Sequence, residues 1–137
     1  MATTLLIWCR DDEKVTDAAK DYPAEFRYSG CRLAALSQTL GRLSGNDRLI
    51  ITAHGNPYSF GDKGDSFSDF TVDKFADVLR HKAPDGWSGS IYFDTCYGLT
   101  FARSLKIEIA DEFPHLKLFG CEGGTSMKVD LSKHQQA

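Results

Sequence analysis

The chain has 137 residues, 42% of them hydrophobic and 26% charged, which is typical of one globular domain with a full hydrophobic core. A net charge of −3 and scattered Lys and Arg residues argue against a nucleic-acid-binding surface. No apolar run approaches the roughly 20 residues that span a bilayer, and the N-terminus lacks the basic start of a secretion signal. We therefore expect a domain that binds neither nucleic acid nor membrane.

The four cysteines lie far apart and form no Cys-x-x-Cys pair; they are Cys9, Cys31, Cys96 and Cys121. This spacing excludes a small disulfide-rich scaffold and a zinc ribbon. It predicts reduced thiols in a cytoplasmic compartment, or in a host cytoplasm if the protein is a delivered effector. The four histidines show no helical metal-pair spacing, so we expect neither a metal nor a cofactor.

The first half of the chain alternates apolar runs with helix-period stretches. TTLLIWC is the first predicted strand, and DDEKVTDAAKDY follows as a short helix with acidic residues at its start, where the helix dipole favours them. AEFRYSG is the second predicted strand. RLAALSQTLGRL spaces its leucines by three and four, which indicates an amphipathic helix, and DRLIITA then predicts a third strand ending at His54-Gly55.

The second half continues the alternation after a stretch rich in Gly, Asp and Ser, NPYSFGDKGDSFSDF, which predicts a long loop or an irregular hairpin. A helix opened by Thr71, a strand SGSIYFDTC, a helix stopped by Pro114 and a strand LKLFGCEGG follow. Strands separated by such helices predict right-handed crossovers and a mostly parallel sheet of about five strands in a three-layer α/β/α sandwich. We expect this domain to cover residues 1–125, with residues 126–137 as a C-terminal tail of little structural signal.

Two reactive side chains stand at the predicted carboxyl ends of two successive strands. LIITAHG ends in His54 and IYFDTC ends in Cys96, so the separation is 96 − 54 = 42 residues, or one loop, one helix and one strand. Ligands of open parallel sheets bind beyond the carboxyl ends of the strands. The two residues are therefore expected to face each other across one crevice.

A cysteine beside a histidine is the chemistry of a nucleophile and its base, because the thiolate is the reactive form. The helix predicted to start near Thr100 would further favour the thiolate of Cys96. Gly55 permits a close approach of backbone to substrate, and its N–H with that of Cys96 would form an oxyanion hole. Each residue taken alone is more simply a packed thiol or a turn histidine, so the functional interpretation depends on the pairing.

The stretches ITAHGN and IYFDTCYG resemble the caspase-like (clan CD) cysteine peptidases, in which one strand ends in His-Gly and a later strand ends in Cys. The resemblance implies strand order 2-1-3-4-5 and peptide-bond cleavage, with His54 as the proton-transferring partner, Cys96 as the nucleophile and Gly55 in the oxyanion hole. The stretch after the histidine looks most like the glycine-rich hairpins of CHAT domains and of the self-cleaving domains of bacterial toxins.

In such peptidases, residues flanking the two catalytic strands shape the pocket for a peptide or protein substrate, which here implies Asn56, Asp94 and Tyr97. Asp94, two positions before Cys96, would select a basic residue, although its alternation with Tyr92 is equally consistent with the less buried side of a strand. Aromatic residues in and after the glycine-rich stretch form either an apolar lip or a small core of that stretch: Tyr58, Phe60, Phe67 and Phe70.

Two alternatives to a cysteine peptidase remain open. A catalytically inactive protein-binding module of the same fold would carry the same strands. GDSFSD is similar to the GDS block of GDSL (SGNH) serine esterases with Ser66 as nucleophile, although Asp130 and His134 stand as Asp-x-x-x-His where those enzymes have Asp-x-x-His. The acidic residues of that stretch could also bind a cation, although a solvated acidic loop accounts for them more simply: Asp62, Asp65 and Asp69.

Overall fold

A computed structural model of the chain describes residues 3–8, 13–29, 33–61, 70–124 and 129–137. The helices, strands and contacts described below all lie within these ranges. Cys9, Cys31, Phe67 and the esterase and cation-site candidates between residues 62 and 69 lie outside the described residues.

The main sheet has six strands, five of them parallel, in the order β2-β1-β3-β7-β8-β9. Its strands are β1 (Thr4–Trp8), β2 (Phe26–Ser29), β3 (Arg48–Thr52), β7 (Ser90–Asp94), β8 (Lys117–Gly120) and the antiparallel β9 (Gln135–Gln136). β1 is a continuous apolar run that is buried along its whole length, as expected for a central parallel strand covered on both faces. The prediction of a mixed α/β fold with a mostly parallel sheet is confirmed.

The five predicted strands follow the order 2-1-3-4-5 in the sheet, which is the order that the resemblance implies. Flavodoxin-like sheets have the same order, so it defines a doubly wound class of folds rather than one family. In such sheets the direction in which successive strands are added reverses beside the first strand, and ligands bind at the edge formed by the carboxyl ends of the parallel strands. That edge is where β3 and β7 end.

Four α-helices occur in the described part of the chain: α1 (Glu13–Asp21), α2 (Leu33–Gly41), α3 (Val72–Lys82) and α4 (Gly98–Glu108). Thr71 caps α3 as predicted, because its side-chain oxygen accepts a hydrogen bond from the Lys74 N–H at 3.3 Å. The prediction that Pro114 stops the last helix is wrong, since α4 ends at Glu108 and a turn follows.

The helices divide between the two faces of the sheet according to the direction of their crossovers. α3 contacts both α2 and α4, so these three helices share one face. The crossover from β1 to β2 runs the other way along the sheet, so right-handedness places α1 on the opposite face. This arrangement agrees with an α/β sandwich.

A second, antiparallel sheet follows β3 and is formed by β4 (His54–Asn56), β5 (Ser59–Gly61) and β6 (Phe70–Thr71). Of the two forms predicted for residues 56–70, a long loop or an irregular hairpin, the described part shows a hairpin of β4 and β5, while residues 62–69 lie outside the described residues. The prediction that the third strand runs on to His54 is wrong, because β3 ends at Thr52 and the chain leaves the main sheet at Ala53.

The C-terminal residues pack against the domain instead of forming a separate tail. Val129 is only 4% exposed, a short 3₁₀ turn covers Leu131–Lys133, and β9 pairs with β8. The Ala137 N–H also donates to the Leu118 carbonyl at 2.8 Å. We call residues 129–137 the C-terminal segment.

Candidate active site

The carboxyl ends of β3 and β7 are neighbours in matched register. Thr52 pairs with Asp94, and the Ala53 N–H donates to the Asp94 carbonyl at 3.4 Å. β7 ends at Asp94 rather than at Cys96, which lies in the following turn. His54 and Cys96 are therefore equivalent positions, each two residues beyond a paired strand end, and both are half-buried.

The backbone at Gly55 lies directly against the turn that carries Cys96. A Cβ atom on Gly55 would be 2.9 Å from the Thr95 Cβ and 3.2 Å from the Cys96 carbonyl oxygen. Real Cβ atoms essentially never come as close to a neighbour as the first of these distances. Only glycine fits at position 55 without displacing one segment from the other.

The Cys96 turn is held by main-chain hydrogen bonds from the residues that follow it. The Tyr97 N–H donates to the Gly123 carbonyl at 2.6 Å, and the Leu99 N–H donates to the Cys121 carbonyl at 3.0 Å. Tyr97 has φ = 60°, a left-handed conformation that costs a non-glycine residue energy and is enriched at functional sites. The loop after β8 thus fixes the turn between β7 and α4.

A cluster of phenylalanine rings anchors the histidine hairpin beneath this turn. Phe60 of β5 is 1% exposed, and its ring centroid lies 5.9 Å from that of Phe93 in β7 and 5.3 Å from that of Phe101 in α4. Because β5 pairs with β4, this packing holds His54 and Gly55 against the strand and helix on either side of Cys96. Phe70 and Phe75 complete the cluster.

The aromatic residues predicted as either a lip or a local core fall into two groups. Phe60 and Phe70 are buried in the core, whereas Tyr58, at the tip of the hairpin, is 76% exposed. The lip interpretation is therefore wrong for both buried rings.

Asp94 lies inside the protein and not on a surface that a substrate reaches. Its side chain is fully buried, and its Oδ2 accepts hydrogen bonds from the Thr52 hydroxyl at 3.2 Å and from the Val129 N–H at 3.0 Å. The Nε2 of His134 is 3.8 Å from the other carboxylate oxygen. Asp94 does share the less buried face of its strand with the partly exposed Ser90 and Tyr92, as its alternation with Tyr92 suggested, but Asp94 itself is buried. The prediction that it selects a basic substrate residue by direct contact is therefore not supported, because its partners give it a structural setting.

His134 was considered from the sequence only in the esterase comparison, and nothing in its polar surroundings distinguishes it as a neighbour of Asp94. Its side chain is fully buried, its ring meets Tyr92 edge-on at 5.8 Å, and its Nε2 is 3.4 Å from the Phe93 carbonyl oxygen. Desolvation lowers the pKa of His134, and Asp130 opposes that effect. The available signal was indirect: a carboxylate at the end of an apolar strand requires a buried partner from elsewhere in the chain.

A cleft of about 600 Å³ borders the C-terminal segment and the end of β8. Three charged residues, Glu122, Asp130 and Lys133, are among those that line it. The Asp130 carboxylate accepts from both the Ser132 N–H and the Ser132 hydroxyl, and so caps the 3₁₀ turn.

The two remaining predicted substrate residues differ in how free their side chains are. The Asn56 side-chain oxygen accepts from the N–H groups of Tyr58 at 2.8 Å and Ser59 at 3.0 Å, and so closes the hairpin turn. Tyr97 is 45% exposed and immediately follows Cys96. Of the two, Tyr97 has the more accessible side chain.

No protein-family model and no curated protein matches the chain. Among the described residues, no group of three or more His, Cys, Asp or Glu side chains could hold a metal ion. No helix in the described ranges is long and apolar enough to cross a membrane. The local geometry of the site therefore carries the functional argument.

Proposed function

We propose that the protein is a cysteine peptidase of the caspase-like kind, with Cys96 as nucleophile and His54 as its proton-transferring partner. The observation that carries the proposal is the contact between the two segments. Gly55 lies against the Thr95 side chain and the Cys96 carbonyl oxygen, so the residue before it and the cysteine belong to one small region at the carboxyl edge of the sheet. A half-buried thiol at such an edge is both held in place and reachable.

The reaction would follow the usual course of thiol acyl transfer. His54 accepts the thiol proton, and the Cys96 sulfur attacks the carbonyl carbon of a peptide bond, with the N–H groups of Gly55 and Cys96 stabilising the oxyanion. The peptide C–N bond breaks, and His54 gives the proton to the leaving amine. Water then hydrolyses the thioester, releasing the acid and restoring the thiol. No cofactor is needed in this sequence.

Cleavage of a fluorogenic peptide library tests the proposal. The library varies the residue before the cut among Arg, Lys, Leu and Asp, and is incubated with wild type, Cys96→Ala, His54→Ala and the matched control Cys121→Ala. Cys121 is buried at 6% exposure, so its replacement removes a thiol outside the proposed dyad. We expect cleavage by wild type and Cys121→Ala, and none by Cys96→Ala.

The same library separates the alternatives. Equal cleavage by wild type and Cys96→Ala would refute the cysteine mechanism, and loss of that activity in Ser66→Ala would identify Ser66 as the nucleophile instead. A folded wild-type protein that cleaves no member of the library would favour the protein-binding module. A preference for Arg and Lys before the cut would support the prediction that the site selects a basic residue, whereas a clear preference for Asp would exclude it.

A further inference from the structure

A buried cross-strand hydrogen bond lies directly beneath the two proposed catalytic residues. The Thr52 hydroxyl donates to the Asp94 carboxylate at 3.2 Å, and neither side chain is exposed. Thr52 stands two residues before His54, and Asp94 two residues before Cys96. The bond therefore joins the histidine strand to the cysteine strand at the last paired position of both.

The C-terminal segment reaches the same carboxylate from the other side. The Val129 N–H donates to the oxygen that also accepts from Thr52, and the buried ring of His134 lies against the second oxygen. A buried carboxylate is costly unless its oxygens have partners, so these contacts fix where Asp94 sits. Asp94 is thus a junction of β3, β7 and the C-terminal segment.

The same segment is also attached to the helix that follows Cys96. The Lys106 ammonium group of α4 donates to the Ala137 carbonyl at 2.9 Å, while β9 pairs with β8. Residues 129–137 therefore contact elements on both sides of the Cys96 turn: β7 before it and α4 after it.

We propose that Asp94 is a positioning residue, which sets the separation of His54 and Cys96 through its bond to Thr52 and is itself held by the C-terminal segment. The proposal rests on the proposed His54–Cys96 chemistry and adds a role for residues that do not touch the substrate. Hydrogen bonds are directional, so this junction constrains the relative position of two strand ends more closely than apolar packing does.

The test compares two buried threonines that differ in location. Thr52→Val removes the hydroxyl that bonds Asp94, whereas the matched control Thr39→Val removes a buried hydroxyl that bonds the Ala35 carbonyl within α2 at 2.7 Å. Iodoacetamide labelling of Cys96 is followed at about pH 6 and about pH 8.5, values on either side of the neutral range. Thermal unfolding of each variant is measured in parallel.

We expect Thr52→Val to slow labelling of Cys96 at about pH 6 by about threefold, because a displaced His54 accepts the thiol proton less readily. Labelling at about pH 8.5 should change less. Thr52→Ser keeps a hydroxyl at this position and should label Cys96 at the wild-type rate. Thr39→Val should lower the unfolding temperature without altering labelling.

His134→Gln provides the second variant, because it removes the ring from the carboxylate and leaves Thr52 intact. It should also slow labelling of Cys96 at about pH 6, whereas His115→Gln, at an exposed position, should not. If His54→Ala slows labelling and neither Thr52→Val nor His134→Gln does, the positioning role is overturned while the dyad stands. If His54→Ala has no effect, the dyad itself is overturned.

Discussion

The two faces of β7 differ sharply in what they bury, although one five-residue strand supplies both. On the face covered by α3 and α4, Ile91 and Phe93 are both fully buried, and Phe93 meets the phenylalanine cluster around Phe60. On the opposite face, Tyr92 and Asp94 meet Phe119, Thr52 and the C-terminal segment, and Asp94 is as fully buried as Phe93.

The difference separates stability from geometry. Aromatic burial is strong and tolerant of direction, so the phenylalanine face holds the hairpin, β7 and α4 together. A buried carboxylate adds little net stability, because its desolvation offsets its hydrogen bonds, but it accepts partners only in certain directions. Stability should therefore respond most to changes on the phenylalanine face, and site chemistry to changes on the Asp94 face.

The largest effect on stability is expected from Phe60→Ala. Phe60 is 1% exposed and contacts four other rings of the cluster, so its loss should lower the free energy of unfolding by about 3–5 kcal/mol. Urea unfolding followed by circular dichroism measures the change. Tyr58→Ala, two residues away and 76% exposed, is the control and should change stability by no more than about 0.5 kcal/mol. A small loss for Phe60→Ala would show that the hairpin is held by something other than the cluster.

An intermediate effect is expected from Gly55→Ala, which tests the approach of the hairpin to the Cys96 turn. The new Cβ would lie 2.9 Å from the Thr95 Cβ, so one segment must move, at about 1–3 kcal/mol. Any peptidase activity should fall with it. Gly41→Ala is the matched control. Gly41 is the last residue of α2, and a Cβ added there would have no neighbouring atom within 4 Å. Denaturant unfolding should show that Gly55→Ala lowers the free energy of unfolding, whereas Gly41→Ala lowers it much less or raises it. Equal changes in the two variants would contradict the close approach of Gly55 to the Cys96 turn.

The smallest effect concerns pH and comes from His134. Desolvation lowers its pKa below the unfolded value of 6.5, so the unfolded chain takes up the proton first as pH falls. The stability contributed by the neutral ring is therefore complete above 6.5 and declines below it. His134→Gln should flatten this decline in stability between about pH 7.5 and about pH 5.5, whereas His115→Gln, at an exposed position, should leave the decline unchanged. A wild type that gains stability as pH falls would show that Asp130 and Asp94 outweigh burial.

The sequence predicted the scaffold because hydrophobic period is local information. The five parallel strands, the cap at Thr71 and the hairpin after His54 all follow from runs of neighbouring residues. The ends of the strands were harder to predict from the sequence. β3 stops at Thr52 because the chain turns into a second sheet, and the stretch LIITAHG shows no break there.

The partners of Asp94 were beyond sequence reasoning for a different reason. Thr52, Val129 and His134 approach it from positions 35 to 42 residues away, and no spaced motif links any of them to Asp94. The C-terminal segment appeared featureless because its single buried ring lies among polar residues. Contacts of this kind depend on the finished fold, whereas the predicted pairing of His54 with Cys96 depends only on the order of strands along the chain.

The central claim is that His54 activates Cys96, and the rate of iodoacetamide labelling against pH, with the labelled cysteines identified by mass spectrometry, tests it most directly. Wild type and His54→Ala are compared, with buried Cys121 as the internal reference. The account predicts that Cys96 labels much faster than Cys121, that this labelling persists below about pH 7, where an ordinary thiol reacts only slowly, and that it slows without His54. Slow labelling of Cys96 that is indifferent to His54 would contradict the account and direct the search towards binding partners.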